Sequence, residues 1–396
     1  MKRRDFLTKS SLASSLLLVP NFMKAFEGLD PKSLGYKKLV LIQLSGGNDG
    51  LNTIIPYRND LYYKHRPSIS ISKNNLIDID GDLGFNENMS PLKALYDKGY
   101  LSIINNVGYP NPSRSHFRST DIWQTASSSS EYLDSGWMGR YIDQYGKAPH
   151  IGIEVDDSLS LVMKGETMNG IATKDAKKMF NNTKTPFFGK VLQTQTAAHL
   201  SEHNLGYLYK TMVSAKSSAK YIYETSKTSK SIKTYPKNAF AKQLKTTAEF
   251  INSGLETKVY YVSMGGFDTH ASQSNRQSRL LKTYADAMDV FVKDLEASDS
   301  FKETLIITFS EFGRRVQQNA AAGTDHGAAS NLFVIGKNLR KPGFYNASPD
   351  LSNLDANGDL KYKVDFRSIY ATLLDHWLDV SHSKILGKSF KTLNFI

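Results

Sequence analysis

Five apolar runs punctuate the chain: Lys38–Leu44 (KLVLIQL), Tyr100–Val107 (YLSIINNV), Lys258–Met264 (KVYYVSM), Thr304–Phe309 (TLIITF) and Asn331–Ile335 (NLFVI). Their apolar residues are continuous rather than alternating, the pattern of strands covered on both faces. Helical patterns lie between them. Ala239–Ser253 sets Phe240, Leu244, Ala248 and Ile251 on one face, and Gln277–Glu296 does the same with Leu280, Tyr284, Ala287, Met288, Phe291 and Leu295. Asp365 stands where it can cap a last helix whose apolar face is Phe366, Ile369, Tyr370, Leu373, Leu374 and Trp377. Strands alternating with helices predict an α/β fold, a mostly parallel central sheet sandwiched by helices, over residues 36–396. Residues 150–237 carry weak strand signals, and from Ser214 they are rich in Ser, Thr and Lys. That stretch is expected to be an inserted cap segment.

Charge and cysteine content narrow the chemistry. The formal net charge is +12, a balance that suits an anionic surface, an acidic substrate or nucleic acid. No arginine-rich arm or nucleic-acid motif appears, so nucleic acid is not an expected partner. With no cysteine, disulfides, thiolate catalysis and cysteine-ligated zinc or iron–sulfur sites are excluded. The N-terminus is basic and then apolar over Leu12–Val19, too short to span a bilayer as a helix. Its Arg3-Arg4-Asp5-Phe6-Leu7 resembles a twin-arginine export signal. Residues 1–27 are accordingly expected to be that signal, with the twin-arginine export machinery as a partner and a periplasmic or otherwise exported location. No transmembrane helix is expected.

In an open parallel sheet, ligands gather outside the carboxyl ends of the strands. Here those ends are polar. "SGGNDG" with Asp49 follows the first run, and "GYPNPSRSHFRSTD" with Ser113, Arg114, Ser115 and His116 follows the second. "GGFDTH" with Asp268 and His270 follows the third, and "SEFGRR" with Glu311 and Arg314 follows the fourth. "GTDHGAAS" with Asp325 and His326 precedes the fifth. These groups converge if that entrance loop folds back across the same edge. Asp, Glu and His ligands without sulfur suit one or two divalent ions: zinc, manganese, iron or magnesium. Two such ions clamp the attacking and leaving oxygens of a phosphoryl or sulfuryl transfer. Arg114 or Arg314 could grip the non-bridging oxygens with a planar fork. "DANGDL" over 355–360 begins like an EF-hand but has Leu360 at the sixth position and Phe366 at the twelfth, so it reads as a polar turn.

Together, "LIQLSGGNDGLNTIIPY", "SRSHFRSTDIWQTA", "GGFDTH", "FSEFGRR", "GTDHGAAS" and "VDFRSIYATLLDHWL" resemble the exported bacterial proteins of the domain of unknown function 1501 family. That family resembles a branch of the alkaline phosphatase and sulfatase superfamily. The resemblance implies an alkaline-phosphatase-like sheet with metal at the strand ends and metal ligands drawn from Asp49, Asp268, His270, Glu311, Asp325 and His326. It also implies a nucleophilic Ser113 or Ser115 at a helix start. Three features depart from the superfamily. Pro110 stands where sulfatases carry their reactive residue, Asp268 and His270 are separated by one residue where the superfamily often has three, and Phe312 stands where a ligand is usual. Two expectations follow. One is an exported metal-dependent hydrolase of small anionic phosphate or sulfate esters, in which Ser115 or a water attacks and His116 assists proton transfer. The other is a non-catalytic binding or assembly protein on the same fold.

Overall fold

Lys38–Leu44 forms a central strand because every residue in it is buried and its apolar side chains point alternately into two cores. The computed structural model describes residues 37–186, 188 and 203–396, so the expected signal over 1–27 lies outside the described residues. In chain order the strands are β1 (Lys38–Leu44), β2 (Ile54–Ile55), β3 (Leu76–Asp78), β4 (Gly84–Asn86), β5 (Leu101–Gly108), β6 (Gly152–Glu154), β7 (Ile171–Ala172), β8 (Val259–Met264), β9 (Thr304–Phe309), β10 (Ser330–Ile335), β11 (Gly343–Phe344) and β12 (Val364–Asp365). The α-helices are α1 (Asp60–His65), α2 (Ser90–Asp97), α3 (His116–Thr125), α4 (Trp137–Tyr145), α5 (Ala176–Asn182), α6 (His203–Ser226), α7 (Ala239–Asn252), α8 (Gln273–Ala297), α9 (Phe366–Thr372) and α10 (His382–Leu386).

The main sheet runs β11-β5-β10-β9-β1-β8-β6-β7, with β12 also pairing β5, while β2, β4 and β3 form a small separate sheet. Strand β1 pairs in parallel with both β8 and β9. The exception to parallel order is β10, which is antiparallel to both β5 and β9. The stretch 150–237 does more than insert: β6 and β7 within it extend the sheet past β8, and α5 and α6 follow.

Helices cover both faces. Val40, Ile42 and Leu44 pack with α2, α7 and α8, through Leu92, Leu244, Leu281, Tyr284 and Phe291. Leu39 and Leu41 pack on the other side with α3, α4 and α9, through Ile122, Trp137, Phe366 and Ile369. There Trp123 is stacked between Phe309, at 4.9 Å, and Phe366, at 4.3 Å, and Trp137 stacks on Tyr370 at 4.0 Å. Such aromatic contacts add about 0.5–1.5 kcal/mol each beyond burial and set the register of α9 on the sheet. Asp365 caps α9 by accepting from Arg367 N at 2.9 Å, and Asn238 caps α7 through Ala241 N at 2.8 Å. Helix α8 begins four residues before its apolar pattern does. Its first turns bury Gln273 and Gln277, polar side chains that bond into the loop after β1.

Candidate metal centre

The carboxyl ends of β1, β5, β8 and β9 open on one edge of the sheet, and because β10 runs against them, its entrance loop opens there too. Two glycines after β1 let the loops close. Gly46 has φ +118°, and a Cβ there would stand 2.4 Å from Asp268 N; Gly47 has φ +76°, and a Cβ there would stand 2.3 Å from the Phe312 ring. No side chain fits at either position, and both conformations favour glycine. The buried Arg314 then ties the loops together. It donates to the carbonyls of Gly47 (2.7 Å), Thr324 (2.8 Å), Phe267 (3.0 Å) and Gly46, and to Asp268 Oδ1 at 2.7 Å.

Three imidazoles meet one carboxylate oxygen at this edge. His116 Nε2 lies 3.5 Å from Asp268 Oδ1, His326 Nε2 3.3 Å and His270 Nε2 3.0 Å, while the Nε2 atoms of His270 and His326 are 3.0 Å apart. The other nitrogen of each ring is held from behind. Nδ1 of His116 meets Glu311 Oε1 at 2.9 Å, Nδ1 of His326 meets the Arg114 carbonyl at 2.6 Å, and Nδ1 of His270 meets Asp325 Oδ1 at 3.2 Å. Acceptors at all three Nδ1 atoms assign the hydrogen there and leave each Nε2 with a lone pair facing the centre. Unprotonated nitrogens and an ionised oxygen this close repel one another unless a cation or a shared proton lies among them. Metal–nitrogen bonds of about 2.0–2.1 Å at tetrahedral angles would separate ligand atoms by about 3.3 Å. Four of the six separations among these atoms, 3.0–3.5 Å, bracket that value. The buried His116 Nε2 has no hydrogen-bond partner, as expected of an atom aimed at an ion. His116, Asp268 and His326 form a group able to hold a metal, and His270 stands beside it.

Burial opposes ionisation of Asp268, but the hydrogen bond and charge of Arg314 hold the carboxyl at about 2. The bond to Glu311 raises the basicity of His116, whereas burial keeps that of His326 low. Phe312 packs 4.8 Å from the His116 ring and 4.7 Å from that of His326, walling one side. Asp268 and His270 remain open to solvent, 45% and 44% exposed at their side chains.

The roles expected of individual residues are redistributed. His270 and His326 lie against Asp268. His116, expected to move protons, points its free nitrogen into the same group. Glu311 and Asp325, expected as ligands, stand behind His116 and His270 instead. Asp49 does not reach the cluster. It is fully buried, with Oδ2 2.6 Å from Arg66 Nη1 and also bonded by Gln273, while Oδ1 accepts from Leu51 N at 3.2 Å. Both its oxygens are engaged by the protein. Arg314 is consumed by carbonyls and Asp268, and Arg114 is paired with the buried Asp359, to which Arg315 also binds. Ser113 Oγ accepts from Ser115 N at 3.3 Å. Ser115 is exposed at the N-cap of α3 and makes no side-chain cap bond. Sequence reasoning missed Arg66, for which no local signal exists, and Asp359, which stands in the dismissed "DANGDL" turn. It also missed Gln43, a polar residue in an otherwise apolar strand, which donates to Glu311 Oε2 at 3.3 Å.

A mostly parallel α/β sheet carries on one edge a cluster of side chains able to hold a metal. The chain belongs to the family described as protein of unknown function DUF1501, whose family model matches residues 94–390. No curated protein matches it. Solved structures similar to it include the C-terminal periplasmic domain of EcEptC from Escherichia coli in complex with Zn (13% identity, 76% of this chain and 72% of that chain, TM-score 0.35). Two others are the lipoteichoic acid synthase LtaP from Listeria monocytogenes (7%, 78% and 67%, 0.37) and a protein in the alkaline phosphatase superfamily from Vibrio parahaemolyticus (11%, 79% and 63%, 0.33).

Proposed function

We propose that the protein is an exported metal-dependent hydrolase of phosphate or sulfate esters, with one divalent ion held by His116, Asp268, His270 and His326. One observation carries this reading: three histidines, each held at Nδ1 by an acceptor, present Nε2 to a single carboxylate oxygen. Nitrogen and oxygen donors suit zinc, manganese or iron. When bound, the ion supplies Lewis acidity to an ester oxygen. The chain's own residues do the rest. Glu311, Asp325 and the Arg114 carbonyl keep the imidazoles in one tautomer and orientation. Phe312 shields one side, and the exposed Asp268 and His270 leave a way in for substrate. Ser115 lies one residue before His116 at the start of a ten-residue helix, where backbone N–H groups favour an attacking oxyanion. The Arg3-Arg4 start supports export, and among the described residues no helix is long and apolar enough to cross a membrane.

A second reading has its own observation. Both arginines suited to gripping an anion are already paired, Arg314 with carbonyls and Asp268 and Arg114 with Asp359. A non-catalytic binding or assembly protein that keeps the ion would be built this way. Elemental analysis of protein purified without added metal, followed by assays on aryl phosphate and aryl sulfate esters, separates the two. About one ion per chain with turnover that disappears in Asp268→Ala and His326→Ala supports the hydrolase. A bound ion without turnover supports the second reading, and failure to bind any divalent ion removes both.

A further inference from the structure

The positive charge is concentrated in one part of the fold. Between Ser214 and Thr247 the chain carries eight lysines against one acid, Glu224, which amounts to seven of the twelve net charges. This stretch forms the end of α6, the loop over 227–238 and the start of α7. Within that loop Ile232 is 90% exposed, more than any other large hydrophobic among the described residues. Lys230, 71% exposed at its side chain, and Lys233 flank it. The end of α5 packs against α6 and adds further lysines. Phe180 stacks on Tyr223 at 4.8 Å, with Lys184 Nζ 4.0 Å over the Phe180 ring and Lys227 Nζ 3.8 Å over the Tyr223 ring. Nearby acids answer only part of this charge: Glu224 lies 3.9 Å from Lys220 and Glu249 3.6 Å from Lys230.

We propose that this loop docks on the surface of an anionic phospholipid bilayer, with Ile232 entering the boundary between headgroups and acyl chains and the lysines meeting lipid phosphates. A large apolar side chain held fully in water between lysines suits a partner that offers both negative charge and an apolar phase. A bilayer interface offers both. Nucleic acid would use the lysines but leave Ile232 in water, so it is the weaker fit.

The test is flotation of the full chain with vesicles of phosphatidylcholine alone or with about one third phosphatidylglycerol, at low and high salt. The proposal expects binding to the anionic vesicles, weakened by salt. Removing Lys230 and Lys233 together as glutamines should weaken it by about 25-fold, about fivefold for each lysine. Ile232→Ser should weaken it by about tenfold. Both variants keep residues 1–36, so their difference from wild type reports the loop alone, and an unchanged thermal midpoint excludes misfolding. Equal binding to neutral and anionic vesicles, no binding, or affinity unmoved by both variants would overturn the proposal. So would anionic-vesicle binding that duplex DNA displaces and Ile232→Ser leaves intact, which would assign the patch to nucleic acid.

Discussion

Replacing Asp49 by Asn separates a metal ligand from a structural anion. The carboxylate is fully buried and faces Arg66, whose side chain is buried too, at 2.6 Å. Arg66 is otherwise bonded to Val316 O at 2.9 Å, Arg315 O at 2.8 Å and Asn52 Oδ1 at 2.9 Å, all neutral acceptors. Asn keeps the shape and can still accept from Leu51 N, but it leaves a buried guanidinium without a counter-charge. Breaking a buried pair in this way costs about 3–5 kcal/mol. An unfolding entropy of about 2.1 cal/mol/K per residue, over the 360 residues of Lys37–Ile396, gives about 0.76 kcal/mol/K. The midpoint should therefore fall by about 4–7 °C. Zinc affinity, measured by competition with a chelator on the folded variant, should stay within about threefold of wild type, because Asp49 touches none of the clustered histidines. A hundredfold loss of affinity with an unmoved midpoint would make Asp49 a ligand and refute this assignment.

Three further outcomes are expected. Glu311→Gln weakens the hold on His116 Nδ1 and should lower zinc affinity about 10–100-fold in chelator competition; unchanged affinity would detach Glu311 from the site. Gly46→Ala places a methyl group against Asp268 N at a positive φ, so it should cost about 1–3 kcal/mol in thermal unfolding and loosen metal binding as well. Burial holds the Glu154 carboxyl, which accepts from Ser160 N at 2.7 Å, at about 7, above its ordinary 4.5. The folded chain then keeps a proton that the unfolded chain releases. That stability is complete below pH 4.5 and lost as pH rises through 7, about 3 kcal/mol in all. Glu154→Gln should remove this slope, and denaturant titrations from pH 4.5 to 8 that match wild type would contradict it.

Much of the architecture was legible in the residues. Continuous apolar runs marked β1, β5, β8, β9 and β10 to within a residue or so, because strands covered on both faces must be apolar throughout. Asp365 announced the start of α9 because a short polar side chain can satisfy free N–H groups there. The polar strand ends also named Asp268, His270 and His326. Which of the polar groups meet, and in what role, was decided only in three dimensions. The direction of β10 brings His326 to the common edge, and a run such as NLFVI looks the same whichever way it is laid in a sheet. Asp49 reads as a ligand beside two glycines, yet Arg66, seventeen residues on, takes its charge. Glu311 and Asp325 stand at Nδ1 of His116 and His270, since a carboxylate can hold an imidazole as readily as it can bind an ion. Local sequence determines what a residue can do, but a charge is answered by whatever lies within a few ångströms of it, and that neighbour is chosen by the packing of the whole chain.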